Sequence, residues 1–300
     1  MSGPSSQVTS MLNAIHMNGA TFQDTGSDAS RAKLLGAERS LECVRRRQYG
    51  EPYLPWLSAR KRVQEPTDKD ATTFKKAVGT DLHYFEWIAQ SGVEDKLDDF
   101  KAHIEYKTLG TLGKKRFESV DVQHIFRIST DLGAVLLVDM GGGFGHDLIE
   151  FHNAFPHTPG KLVLQELPMT IKNLPKDFPR EIDAQAHDAF TPQPIVGAKA
   201  YYLHMVLHEL PDESCRMMLS QLVPAMQKAH SKSLLNEIVV PDVSAQWFST
   251  SVDMLMLMCH SAQERTEGMW RDLLERVGLR ISKIWDCEGN FEKIIEVKLA

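Results

Sequence analysis

Apolar residues in the second half of the chain gather into short continuous runs rather than alternating ones. The runs begin at Leu136 and recur at Lys161–Gln165, Ile182–Ala186, Ala200–Leu207, Ser233–Val239, Arg280–Trp285 and Phe291–Lys298. Continuous apolar runs of this length mark strands buried on both faces. Helical patterns lie between most of them, and the alternation predicts an α/β fold with a largely parallel sheet. The last two runs are split by Asp286-Cys287-Glu288-Gly289-Asn290 and read as a hairpin, which places an antiparallel strand in the sheet. Ahead of the sheet, Leu82–Ala89, Val93–Tyr106 and Val120–Ile128 carry helical periodicity and predict a helical cap. Residues 1–28 are polar and bear Gly and Ser, and are expected to form a loose tail.

The first strand ends in the most informative stretch, Leu136-Leu137-Val138-Asp139-Met140-Gly141-Gly142-Gly143-Phe144-Gly145-His146. Glycines let a backbone take positive φ and let a ligand press against it. In an α/β sheet such a turn lies at the carboxyl end of a strand, where the ligand crevice forms. A dinucleotide fingerprint needs a third glycine at 146 or 148, and His146 and Leu148 stand there. No Gly-Lys-Ser/Thr follows, which excludes a P-loop. A second strand, Leu162-Val163-Leu164-Gln165-Glu166-Leu167-Pro168, puts a carboxylate at its tip 27 residues after Asp139. That spacing is one strand–helix unit, so Glu166 can meet a pair of ribose hydroxyls. His187-Asp188-Ala189-Phe190 suits a turn beside an adenine.

The third stretch runs from Ala198 through Tyr201-Tyr202-Leu203-His204-Met205-Val206-Leu207-His208-Glu209-Leu210-Pro211-Asp212. Together with Gln263-Glu264-Arg265-Thr266-Glu267 and Trp270-Arg271-Asp272-Leu273-Leu274, it resembles the plant- and fungal-type S-adenosylmethionine-dependent small-molecule O-methyltransferases, from about Thr67 to Ala300. The resemblance implies a Rossmann-like class I methyltransferase sheet, mostly parallel with a terminal antiparallel strand, under an N-terminal helical cap. It implies methyl transfer from S-adenosylmethionine to a hydroxyl of an aromatic or polyketide-like molecule. His208 matches the family's base, and Glu237 and Glu264 match the two acidic residues that hold its ring. Asp139, Gly141, Gly143, Glu166, Leu167, Asp188, Ala189 and His204 match the cofactor-binding positions. Met254, Met256 and Met258 lie on an apolar helix that packs in the core or lines the acceptor pocket. The chemistry agrees with these assignments. A phenol with a pKa of about 10 needs a base at neutral pH, and histidine suits that task.

Three departures qualify the resemblance. The family usually writes His-Asp-Trp where this chain has His208-Glu209-Leu210, and Arg or Lys where it has His204. The winged-helix dimerisation domain that precedes the cofactor domain in relatives is represented only by Ala29–Val44. Residues 1–75 are therefore expected to be a tail and a remnant helical segment, and 76–300 a methyltransferase domain with its cap over 76–130. A homodimer weakened by this loss is expected. Two other functions stay open: a cofactor-binding protein that promotes a pericyclic reaction or dehydration without methylating, and a non-catalytic remnant.

Composition narrows the rest. The chain has 300 residues and a net charge of −6, which argues against sequence-independent nucleic-acid binding. Arg45–Arg47 is a short solvated run. Cys43, Cys215, Cys259 and Cys287 are widely spaced and expected to be reduced thiols of a cytoplasmic protein. No targeting signal or membrane span is expected. No metal site is expected either: His204 and His208, if both lay on one strand, would stand about 13 Å apart.

Overall fold

The computed structural model describes residues 72–88, 117, 121–126, 133–287 and 291–300. The expected tail, the remnant helix, the Val93–Tyr106 helix, Cys43 and most of the cap lie outside the described residues. The remaining predicted elements are where the apolar pattern places them. The strands are β1 (Val135–Met140), β2 (Lys161–Glu166), β3 (Ile182–Ala186), β4 (Ala200–His204), β5 (Lys232–Val240), β6 (Arg265–Thr266), β7 (Leu279–Asp286) and β8 (Glu292–Leu299). They form one sheet in the order β3-β2-β1-β4-β5-β8-β7, with the two-residue β6 paired to β5 off this path. Strands β1 to β5 pair in parallel. Strand β8 inserts antiparallel between β5 and β7, as the final hairpin predicts.

Among the described residues the helices are α1 (Thr73–Val78), α2 (Tyr84–Ile88), α3 (Val122–Phe126), α4 (His146–Ala154), α5 (Pro168–Lys172), α6 (Asp212–Leu222), α7 (Trp247–His260) and α8 (Glu267–Glu275). Helix α7 contains Met254, Met256 and Met258, of which Met256 is buried. Helix α8 starts under a side-chain cap, the Thr266 hydroxyl accepting from Met269 N, with Glu267 favourably placed in its first turn. No described helix is long and apolar enough to cross a membrane.

Helices cover both faces of the sheet. On one face Val138, Leu203 and Leu235 pack with Met218 and Leu222 of α6 and Trp270 and Leu274 of α8. On the other, Leu137, Tyr202 and Leu234 pack with Leu148 and Phe151 of α4, Phe117 and Phe126. Strand order reverses between β1 and β4, and the carboxyl ends at such a switch point open the crevice where ligands bind. The loops after these two strands meet there: a Cβ on Gly141 would lie 3.1 Å from Val206.

Strand β4 is shorter than its apolar run. It stops at His204 because Met205 takes a positive φ of 54°, and the chain then forms a tight helical turn over Leu207–Glu209. His208 is therefore on a turn rather than a strand, which removes the premise of the 13 Å spacing argument. The two histidines nonetheless engage different carboxylates.

Candidate active site

The glycine turn closes over the end of β1. Asp139 is fully buried beneath it, and a Cβ on Gly142 would fall 2.3 Å from its Oδ2 and 2.7 Å from Leu164. Gly142 therefore lets the turn lie directly on that carboxylate. Gly141 N donates to Gln165 O at 2.8 Å, which ties the turn to β2. Gly143, with φ of +56°, presents its Cα to open space. Glu166 reaches toward the same turn. Burial raises its pKa, while hydrogen bonds from Leu167 N, the Thr170 side chain and Gly143 N pull the other way.

The next loop is drawn in as well, since His187 N donates to Glu166 O at 2.9 Å. Asp188 Oδ1 accepts from Phe190 N at 2.9 Å and closes its own turn, and Ala189 packs against the core. Leu167 and Phe190 are left exposed at the rim. A reciprocal amide pair, Gln165 with Gln193 at 3.0 and 2.8 Å, pins this loop to the sheet. The sequence reading missed that pair; its one signal is a polar residue, Gln165, at the end of an otherwise apolar strand.

His204 faces the α4 side of the sheet. Its Nδ1 is 2.5 Å from Asp147 Oδ2 at the start of α4, and its Nε2 is 3.0 Å from Glu292 Oε2 on β8. Asn236 Nδ2 donates to the same Glu292 oxygen at 2.9 Å. The ring thus bridges α4, β4 and β8 with both nitrogens engaged by the protein's own carboxylates.

His208 is buried, and its Nδ1 lies 2.6 Å from Glu264 Oε1. A carboxylate accepts, so Nδ1 carries the proton and Nε2 presents a lone pair. Glu209 Oε1 stands 3.9 Å from that Nε2, with its side chain partly open to solvent. Glu237, expected to hold the ring, accepts from Leu207 N at 2.9 Å beneath the turn that carries His208, and interacts with that histidine through its charge. Burial pushes the Glu237 carboxyl up to about 7; a charged His208 opposes this rise and the Glu264 carboxylate adds to it.

Two further residues, unmarked in the sequence reading, fix the assembly. Arg265 is completely buried and donates to Leu207 O at 2.9 Å, Leu210 O at 2.8 Å and Asp212 Oδ1 at 2.7 Å, so one guanidinium clamps both ends of the His208 turn. Buried Asp253 on α7 accepts from Glu264 N at 2.9 Å and sets the backbone of the residue that meets His208 Nδ1. For Asp253 the available signal was a charge inside the apolar run Val252–Met258; Arg265, among Gln263, Glu264, Thr266 and Glu267, carried none.

The end of α7 and the start of α2 form a ring-rich wall near the base. The His260 ring centroid lies 5.2 Å from that of His83, 5.5 Å from Tyr84 and 5.3 Å from Phe85. Burial lowers the His260 pKa to about 3, and charge on His83 or His208 pushes it the same way. It therefore stays neutral beside His208. Cys215 and Cys259 are thiols outside any disulfide, and burial raises both to about 11, which makes them inert.

Comparison with known proteins places this arrangement in context. A family profile described as the O-methyltransferase domain matches residues 56–280. The chain is 45% identical over 229 residues to O-methyltransferase mpaG of Penicillium brevicompactum, covering 76% of this chain and 57% of that protein. It is 37% identical over 243 residues to demethylsterigmatocystin 6-O-methyltransferase of Aspergillus flavus, covering 78% and 59% respectively. The chain thus spans somewhat more than half the length of these curated relatives. Among solved structures, LepI in complex with SAM superposes with a TM-score of 0.69 at 28% identity, covering 82% of this chain and 62% of that one.

Proposed function

The chain belongs to the O-methyltransferase family, whose members use S-adenosylmethionine, and from that premise we propose that it methylates a hydroxyl of an aromatic or polyketide-like small molecule with His208 as general base. The observation that carries this reading is the 2.6 Å contact of His208 Nδ1 with Glu264, which fixes the tautomer and turns Nε2 into the acceptor of a proton. His208 takes the proton of the acceptor hydroxyl at Nε2, and Glu264 stabilises the imidazolium that results. Neutral His260 does not compete for that proton. The ring-rich wall of His83, Tyr84, Phe85 and His260 offers planar surfaces to an aromatic acceptor.

The residues around the glycine turn fit S-adenosylmethionine. A partly desolvated carboxylate, Glu166, suits a ribose diol, and the open backbone at Gly143 suits a ligand pressed against it. Gly141 and Gly143 shape that backbone, and Leu167, Asp188 and Ala189 border the base. Asp139 under the turn and His204 at the sheet end support the site from behind. When bound, this cofactor supplies an electrophilic sulfonium methyl. What remains for the protein is alignment and removal of one proton. The role needs no anion-binding helix, which agrees with a glycine turn that lacks the dinucleotide and P-loop patterns.

Calorimetric titration with S-adenosylhomocysteine tests the cofactor site. Binding in the micromolar range is expected, and Glu166→Ala should weaken it about 10- to 100-fold, the worth of hydrogen bonds to a charged group. Absence of binding by a folded, monodisperse wild-type sample would remove the proposal.

A further inference from the structure

The proposed base has carboxylates on both sides of its ring, Glu264 at Nδ1 and Glu209 toward Nε2. Glu264 is within hydrogen-bond distance of Nδ1, at 2.6 Å, and Glu237 spends the oxygen that accepts on the backbone of Leu207. Glu209 Oε1 stands 3.9 Å from Nε2, too far to accept a hydrogen bond from that nitrogen and near enough for its charge to act on the ring. Its side chain is 24% exposed, so the charge is retained without the penalty of full burial. Its field also reaches the end of α7, where it adds to the rise of the Cys259 thiol. Glu209 therefore occupies the space between the His208 turn and the last turn of α7, on the Nε2 side of the ring.

We propose that Glu209 is a positioning residue for the base, stabilising the imidazolium of His208 from the Nε2 side while Glu264 does so from the Nδ1 side. This rests on the reading of His208 as general base. The arrangement divides two tasks. Glu264 fixes the ring's orientation and tautomer by a short hydrogen bond. Glu209 adds charge at the nitrogen that receives the proton, and leaves room there for the acceptor oxygen. Among the described residues, Glu237 from β5 and His260 from α7 also interact with His208 through their charge, Arg265 from β6 holds the turn that carries it, and Cys259 on α7 lies in the field of Glu209. Cys259 and His260 are neutral near pH 7, as their pKa values of about 11 and about 3 require. Glu237, at about 7, is only partly ionised there, and the Arg265 charge is matched by Asp212 at 2.7 Å. Glu264 and Glu209 face the two ring nitrogens, at 2.6 and 3.9 Å.

The test is a titration of His208 by NMR in histidine-labelled protein without cofactor, its resonance identified by its loss in His208→Asn. In Glu209→Gln the pKa of His208 should fall by at least about 0.5–1 unit, the effect of one charge at this distance even under full aqueous screening. Glu209→Asp, which retains the charge on a shorter arm, should recover part of that fall. The acid limb of the kcat/KM profile should move by the same amount, with KM for the cofactor unchanged. A titration that does not move in a Glu209→Gln protein of wild-type melting temperature overturns the assignment, as does a ring that stays neutral from about pH 5 to 9 in both proteins. The titration needs no turnover, so it separates this inference from methyl transfer itself.

Discussion

Sealed from water and in contact with the backbone of the His208 turn, the Glu237 carboxyl is raised to about 7. In the unfolded chain the same group ionises near the ordinary glutamate value of 4.5. Below the lower value both states hold the proton and the group does not alter stability. As pH rises through the higher value, folding must either keep a proton that solvent would remove or bury a charge, so stability falls. Glu237→Gln keeps a carbonyl oxygen to accept from Leu207 N and removes the titration. Its unfolding free energy should exceed that of wild type at pH 8 by on the order of 2 kcal/mol, with little difference at pH 4, as read by urea denaturation. Equal pH slopes in the two proteins would contradict this account. His208 and Glu264 were legible as residues because their motifs are local. The division of labour between Glu237 and Glu209 was not, since it depends on which way each carboxylate points once the turn has formed. Glu209 showed only as a departure from the family's aspartate.

The element that carries the proposed base is the turn Leu207–Glu209, and both its ends are held from a two-residue strand far away in sequence. Arg265 on β6 reaches the carbonyls of Leu207 and Leu210 and the Asp212 carboxylate with one planar fork, and its guanidinium lies 5.1 Å from the Trp270 ring centroid. Lysine carries the charge, but its three donors sit on one nitrogen and cannot span these separated acceptors as the planar fork does. Arg265→Lys should destabilise the protein by about 2–4 kcal/mol, judged by the measured losses when one partner of a buried pair is altered. It should lower kcat more than it weakens S-adenosylhomocysteine binding, because the glycine turn and Glu166 are held by other contacts. Thermal melts and calorimetry on the same sample check both parts, and an equal loss in kcat and cofactor affinity would contradict the second. Apolar runs revealed β1 to β5, β7 and β8, but a strand as short as β6 has no periodicity to read. The same rule overextended β4, because Val206 and Leu207 are core residues that follow the strand without belonging to it.

Across the whole molecule, two sets of residues converge on the sheet's carboxyl edge. One is the glycine turn with Glu166 at the ends of β1 and β2. The other is His208 with Glu209 after β4, joined by Glu264 and Arg265 from before and within β6. The reversal of strand order between β1 and β4 is what brings them side by side. That much follows from a pattern of buried strands and loops visible in the sequence. The pairs that fasten it, Gln165 with Gln193, Asp253 with Glu264 and Asp212 with Arg265, join residues set together only by packing. The most direct test of the central claim is methyl transfer from S-adenosylmethionine to a panel of phenolic acceptors, by wild type and His208→Ala at saturating cofactor. Methylated product should form with wild type and fall about 100- to 10,000-fold in the variant, with cofactor affinity unchanged. Equal turnover by the two proteins would contradict His208 as the base, and absence of product from every acceptor despite tight cofactor binding would contradict methyl transfer itself.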